Sequence, residues 1–158
     1  RDAGCMMELI DATLGTIPIL GECLGFQALL EHHGGAVEPC GPVHGKSLPM
    51  TLTEAGVMHP VFQGLATDTE PDQPDHLGTQ VPVARYHSLG CADLPQGMRC
   101  LARTSTDIGE VAMAAETDDG RALGVQFHPE SILTPRGPLM LERCINQLYT
   151  HTTMDTEN

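Results

Sequence analysis

Apolar residues recur along the chain with two different periods, and each period predicts a kind of element. Met6, Leu9, Ile10 and Leu14 fall three to four apart, a helical stripe that Gly15 stops. "TIPIL", from Thr16 to Leu20, then reads as a short strand, apolar on both faces like the central strand of a parallel sheet. From Leu24 to His33 the spacing is helical again, with Phe26, Leu29 and Leu30 apolar and Gly34-Gly35 as the stop. Extended pieces follow around Val37 and from Leu48 to Thr53. Gln63 to Gln80 mixes proline, glycine, threonine and acids with little to bury, the composition of a surface loop.

Strand-like segments return at Val81–Tyr86, Met98–Arg103 and Glu110–Thr117. Asp119-Gly120 then turns the chain into Arg121–Phe127, which predicts a hairpin. "GPLMLERCINQLY", from Gly137 to Tyr149, is amphipathic, with Leu139, Met140, Ile145 and Leu148 marking its buried stripe. Helices separating strands early and a hairpin late predict an α/β domain with a mixed, mostly parallel open sheet flanked by helices. The expected organisation is one domain over residues 1–149 and a flexible tail over 150–158. Arg1 is not an initiator Met and the first residues already read as mid-domain, so the expected domain lacks its N-terminal part, including the first strands.

Composition removes several functions. The net charge of −13 repels phosphate backbones, so no nucleic-acid partner is expected. No apolar run approaches the roughly 18 residues of a membrane span and no cationic start leads into a signal peptide, so a cytoplasmic protein without a membrane partner is expected. Aromatics are 3% with no Trp, which leaves the core to Leu, Ile, Val, Met and Ala. The six cysteines never form a C-x-x-C, which argues for free thiols and against a metal site.

One cysteine stands apart. In "ILGECLGFQALL", Cys23 lies between Gly21 and Gly25 where a strand runs into a helix. Open α/β sheets place their sites at such strand ends, a sharp turn between small neighbours holds a nucleophile out, and a helix N-terminus favours a thiolate. A thiolate nucleophile needs a base. Of eight histidines, His32 and His33 close a helix as solvated residues, and His59, His76 and His151 fall in loops or the tail. His128 differs, because "GVQFHPESILT" leaves an apolar strand and presents His128-Pro129-Glu130 at its end. Proline keeps the preceding residue extended, and in an extended segment His128 and Glu130 share a side. The carboxylate can hold one imidazole nitrogen and leave the other for the thiol.

"GECLGFQAL" together with "QFHPESILT" resembles the class I, triad-type glutamine amidotransferases, and the likeness runs from Arg1 to about Tyr149. The resemblance implies a flavodoxin-like fold and hydrolysis of L-glutamine without a cofactor in this subunit. It implies Cys23 as nucleophile, His128 as acid/base, Glu130 as the orienting group and Gln27 as a substrate-binding residue. "HGK" (His44, Gly45, Lys46) and "YHSLG" (Tyr86 to Gly90) are similar to the glutaminase subunits of anthranilate and aminodeoxychorismate synthases. In that branch Ser88 and Leu89 would hold glutamine through main-chain groups. His44, Gly45 and Lys46 would face a chorismate-binding synthase subunit.

The reading this favours is the ammonia-producing half of anthranilate formation in tryptophan biosynthesis. Its alternatives are the aminodeoxychorismate subunit of folate biosynthesis, a γ-glutamyl peptidase-like thiol hydrolase, and a non-catalytic interaction module. Leu24 N–H, just after the nucleophile, is the expected oxyanion donor. The family's other donor comes from a P-G-x-G-x-P loop, which the pattern would place just before Arg1. Glu22 departs from the apolar residue usual beside the cysteine. Its charge opposes a thiolate and costs desolvation unless paired; an arginine or backbone donor on the far side is one such partner, and the sequence does not choose it.

Overall fold

The computed structural model describes residues 4–73 and 77–154; His76 lies outside them. The chain runs α1 (Met6–Thr13), β1 (Ile19–Glu22), α2 (Leu24–His32), β2 (Glu38–Pro39), β3 (Lys46–Leu52) and α3 (Glu54–Met58). It continues through β4 (Gln80–Arg85), β5 (Leu89–Gly90), β6 (Met98–Thr106), β7 (Gly109–Thr117), β8 (Ala122–Val125) and α4 (Gly137–Met154). Six strands form one sheet in the order β1-β8-β7-β6-β3-β4, and β2 pairs with β5 in a small second one. The sheet is mixed and open, as expected. Its balance differs from the mostly parallel arrangement expected. Among the described residues β1 runs parallel to β8 and the other pairings are antiparallel; for β6, β7 and β8 this follows from the tight turns that join them.

Alternation along β8 sorts the two faces of the sheet. Leu123 and Val125 join Met113, Phe127, Met140, Cys144 and Leu148 in one core, where α4 packs. Ala122 joins Ile10, Phe26, Leu29, Leu30, Ala112 and Ala115 in the other, under α1 and α2. Large side chains fill the first face and small ones admit a close helix on the second. Gly21 and Gly124 are register partners. A Cβ on Gly124 would lie 2.3 Å from Phe26 Cδ2, and one on Gly21 would lie 2.9 Å from the Gly25 carbonyl oxygen. The start of α2 therefore rests directly on the sheet.

Several boundaries moved for local reasons. β1 starts at Ile19 because the N–H groups of Thr16 and Ile17 still bond the Thr13 carbonyl, and Pro18 has no N–H to give. The helix that was to end at Tyr149 continues to Met154, so residues 150–154 of the expected tail are helical, and its residues 155–158 lie outside the described residues. Thr150 Oγ1 donates to the Asn146 carbonyl, and the Gln147 and His151 side chains meet at 3.1 Å, so side chains cover this last stretch. Leu9 and Ile145, assigned to buried stripes, are exposed. The helix α3 was not expected; Thr53 caps it by accepting from Gly56 N–H at 3.1 Å. Among the described residues no helix is long and apolar enough to cross a membrane, and all six cysteines are free.

His59, expected in a loop, is buried at the end of α3. Its Nε2 meets Glu116 Oε2 at 2.8 Å, and Arg99, the cross-strand neighbour of Glu116, takes the other oxygen. Burial pushes the Glu116 carboxyl up, but hydrogen bonds from His59 and Arg99 outweigh it and hold the carboxyl below its ordinary value. A carboxyl lowered in the folded state stabilises fully above its unfolded value, near pH 4, and loses that contribution as pH falls through the lowered one. Glu116→Gln should therefore lower the melting temperature at neutral pH and flatten its fall in acid. Melting curves of both proteins between pH 7 and 3 check this, and parallel curves would refute it.

Candidate functional site

Cys23 occupies the single residue between β1 and α2, with φ 50° and ψ −102°. Among the described residues it alone has a positive φ without being glycine, a conformation costing about 1–3 kcal/mol that surrounding structure must enforce. Two backbone bonds do so: Cys23 N–H donates to the Val125 carbonyl at the end of β8, and Gln27 N–H donates to the Cys23 carbonyl. Gly25 is not crowded, since a Cβ there would meet nothing. Of the two bracketing glycines, Gly21 is the one that close approach requires.

The chain leaves β8 through Gln126 and Phe127 and reaches His128 beside that turn. His128 N–H donates to the Ala84 carbonyl at the end of β4. Thr134, buried, closes the segment: its hydroxyl donates to the His128 carbonyl at 2.8 Å and accepts from Ala84 N–H at 2.9 Å. His128 Nδ1 lies 2.7 Å from Glu130 Oε1, which joins the pair expected from sequence. The same nitrogen lies 3.1 Å from Glu22 Oε1. Glu22 therefore does not turn to an arginine or a backbone donor on the far side. Its strand is in register with β8, Glu22 opposite Val125, and this carries its carboxylate to the imidazole.

These three ligand-type atoms lie within 4.8 Å of one another. Imidazole–carboxylate hydrogen bonding accounts for their convergence.

Burial pushes the Cys23 thiol up. The Leu24 N–H and the Gln126 amide pull it down, the charges of Glu22 and Glu130 push it up, and the net shift is upward. This corrects the expectation that the helix N-terminus would favour the thiolate. Burial and two nearby carboxyls outweigh one N–H and one amide, so the resting site holds a thiol. Leu24, the expected oxyanion donor, thus has its N–H at the sulfur, while its side chain is exposed.

Gln27 is buried and donates from Nε2 to Gln126 Oε1 at 3.1 Å and, at 3.4 Å, to the Leu89 carbonyl. Gln126 in turn directs its amide at Cys23 Sγ, 3.7 Å away. A hydrogen-bonded path therefore links Leu89, Gln27, Gln126 and the thiol. Ser88 is exposed and its carbonyl accepts from Cys40 N–H. His87 Nδ1 meets the Leu89 carbonyl at 3.0 Å, and Arg85 Nε donates to His87 Nε2 at 3.1 Å, so two buried side chains brace the Ser88-Leu89 turn.

His44 and Lys46 are exposed, and Gly45 lies against the Tyr86 ring, where a Cβ would come within 3.1 Å. With φ at +63° as well, position 45 favours glycine. Tyr86 packs its ring edge-on to His128, centroids 5.3 Å apart at 84°. The loop expected to face a partner therefore touches the site through one tyrosine. Sequence reasoning missed Gln126 and Tyr86 as neighbours of the chemistry, and it placed Glu22 beside the cysteine without its contact to His128. Gln126 could have been found, since it stands two residues before His128 and so faces the same side.

A cysteine held at a strand-to-helix turn, with an imidazole and its carboxylate at the end of the adjacent parallel strand, is the layout of an α/β thiol hydrolase. The glutamine amidotransferase class-I family model matches residues 1–148, and the chain belongs to that family. It is 62% identical over 150 residues to anthranilate synthase component 2 of Corynebacterium glutamicum, covering 95% of this chain and 72% of that protein. It is 43% identical over 146 residues to the pyocyanine-specific anthranilate synthase component 2 of Pseudomonas aeruginosa, covering 92% of this chain but 63% of that one. Among solved structures, a putative GMP synthase protein of Thermoplasma acidophilum shares the fold with TM-score 0.71 at 21% identity. That match covers 95% of this chain and 65% of the other. A glutamine amidotransferase of Thermotoga maritima matches with TM-score 0.53 at 19% identity, covering 96% of this chain and 56% of the other.

Proposed function

We propose that the chain is the glutaminase component of an anthranilate synthase, releasing ammonia from L-glutamine for a chorismate-binding partner subunit. The observation that carries the hydrolytic part is the meeting of Glu22, beside Cys23, with the His128–Glu130 pair across the β1–β8 pairing. The likeness to two anthranilate synthase components supports the choice of partner.

In this reading Cys23 Sγ attacks the side-chain carboxamide carbon of glutamine while His128 takes the thiol proton. Because the resting group is a thiol, attack and proton transfer go together. Leu24 N–H turns from the sulfur to the oxyanion. His128 delivers the proton to the departing nitrogen, the C–N bond breaks, and ammonia leaves a thioester. Water then attacks the thioester, His128 accepts its proton and returns it to Sγ, and glutamate is released. Glu130 holds His128 at Nδ1, leaving Nε2 for these transfers. Gln27, Ser88 and Leu89 form the substrate side, and His44, Gly45 and Lys46 face the partner. The chemistry asks for no cofactor in this subunit.

The test combines the full-length protein with a chorismate-binding synthase subunit, chorismate and glutamine. Anthranilate, identified by its fluorescence and mass, is the expected product. Aminodeoxychorismate would move the chain to the sister pathway. Glutamate without any aminated product would leave a stand-alone glutaminase.

A further inference from the structure

We propose that Glu22 is a second, substitute orienting carboxylate for His128, so that the site keeps its imidazole aligned when Glu130 is lost. The inference rests on the glutaminase reading for its kinetic consequence, though not for its geometry.

Two carboxylates reach one imidazole nitrogen from different parts of the fold. Glu130 comes from the segment that carries His128 itself, two residues on, and meets Nδ1 at 2.7 Å. Glu22 comes from the end of β1 and meets the same atom at 3.1 Å. Nδ1 carries at most one proton, so the two oxygens compete for one good hydrogen bond. The shorter contact makes Glu130 the holder in the intact site. Both carboxyls keep some access to water, Glu22 with 33% of its side chain exposed and Glu130 with 55%. Among the described residues the side chains that bear on them are His128 and each other.

Their proton affinities separate in a way that fits one holder and one reserve. Burial raises Glu22, its hydrogen bond with Glu130 and the charge of Glu130 raise it further, and His128 alone opposes them. Burial also raises Glu130. The bonds from Glu22, from its own backbone N–H and from His128 outweigh that and leave it lowered. Two acids that share a site separate in this way, Glu22 becoming the weaker and Glu130 the stronger. Removing Glu130 takes away two of the three influences that raise Glu22. His128 then acts against burial alone, and the Glu22 carboxylate stands 3.1 Å from Nδ1 in the place of the lost one.

The arrangement also has a cost. An ionised Glu22 sits next to Cys23 in sequence and pushes the thiol up, as does Glu130. The groups that bear on His128 from each packed element are thus Glu22 from β1, Glu130 from its own segment, and Tyr86 and His87 from the segment after β4.

Four proteins test this: the wild type, Glu22→Ala, Glu130→Ala and the double variant, each assayed for glutamine turnover in the assembled complex. An orienting acid lost from a triad without a substitute costs about 10⁴-fold in the serine-protease case. Here Glu130→Ala should lose about tenfold, Glu22→Ala about threefold or less, and the double variant at least about a thousandfold. Such a loss far exceeds the product of the singles. Glu130→Ala falling as low as the double variant would overturn the proposal, and so would purely multiplicative effects. Glu22→Gln combined with Glu130→Ala separates charge from packing, because glutamine keeps the shape but cannot ionise. It should be as impaired as the double alanine variant.

A second measurement does not depend on turnover. Nitrogen NMR of His128 at neutral pH should show the Nδ1–H tautomer in the wild type and in both single variants, and its loss in the double variant. Loss of that tautomer in Glu130→Ala alone would refute the substitution. Should the wild type fail to hydrolyse glutamine at all, the glutaminase reading falls, and the tautomer series still decides whether Glu22 holds the imidazole.

Discussion

Cys23→Ser abolishes glutamine-dependent aminated-product formation, by at least about a thousandfold, while synthesis from added ammonia by the partner subunit stays near normal. The magnitude follows from what the hydroxyl lacks. A serine at this turn keeps the position and the Leu24 N–H, but its proton is far harder to remove than a thiol's. The thiol serves only to release ammonia, so a partner that takes ammonia from solution bypasses the loss. The fold should tolerate the change. Serine is smaller than cysteine, and the strained backbone is enforced by main-chain bonds to Val125 and Gln27 that do not involve the side chain. Melting temperatures within a few degrees and a normal ammonia-dependent rate therefore accompany the expected loss. Residual glutamine turnover within tenfold of the wild type would show that another group performs the attack.

The bracketed cysteine and the H-P-E segment were legible because local sequence shapes their geometry. A glycine that must let a helix start touch a sheet, and a proline that keeps the preceding histidine extended, act over a few residues. The burial of Phe26, Leu29 and Leu30 was legible for the same reason, since one helix period sorts them. What sequence could not show depends on pairings between distant segments. Glu22 finds His128 only because β1 and β8 pair in one particular register, and a shift by one residue would point its side chain away. The upward shift of the thiol has the same origin, because its burial and the approach of Glu130 come only with the fold, although the opposing charge of Glu22 was legible beside it. The five-residue α3 and the two-residue β5 are too short for any period to mark. They form because Thr53 caps the one and β2 pairs with the other.

Gly137→Ala should both destabilise the protein and slow glutamine turnover. Gly137 opens α4, and its N–H donates to the Thr134 carbonyl, so the helix starts directly against the segment that carries His128 and Glu130. A Cβ at this position would fall 1.8 Å from the Pro129 carbonyl oxygen and 2.7 Å from its carbon. Those are backbone atoms between the two residues that meet at Nδ1, and no side-chain rotation relieves the clash. Either the start of α4 moves or Pro129 does. Overpacking of this kind costs about 1–3 kcal/mol, sometimes more, and Met140, Cys144 and Leu148 of α4 fill the core and resist a shift of the helix. Displacement of Pro129 is the cheaper response, and it carries the imidazole with it. A misplacement of about 1 Å at a reacting group costs on the order of a hundredfold in rate. The expected result is thus a lowered melting temperature together with a drop in kcat, measured well below the transition so that unfolding does not contribute. A fall in melting temperature with unchanged kcat would mean that the helix yields instead, and that the H-P-E segment is anchored more firmly by Thr134 and Ala84 than by its contact with α4.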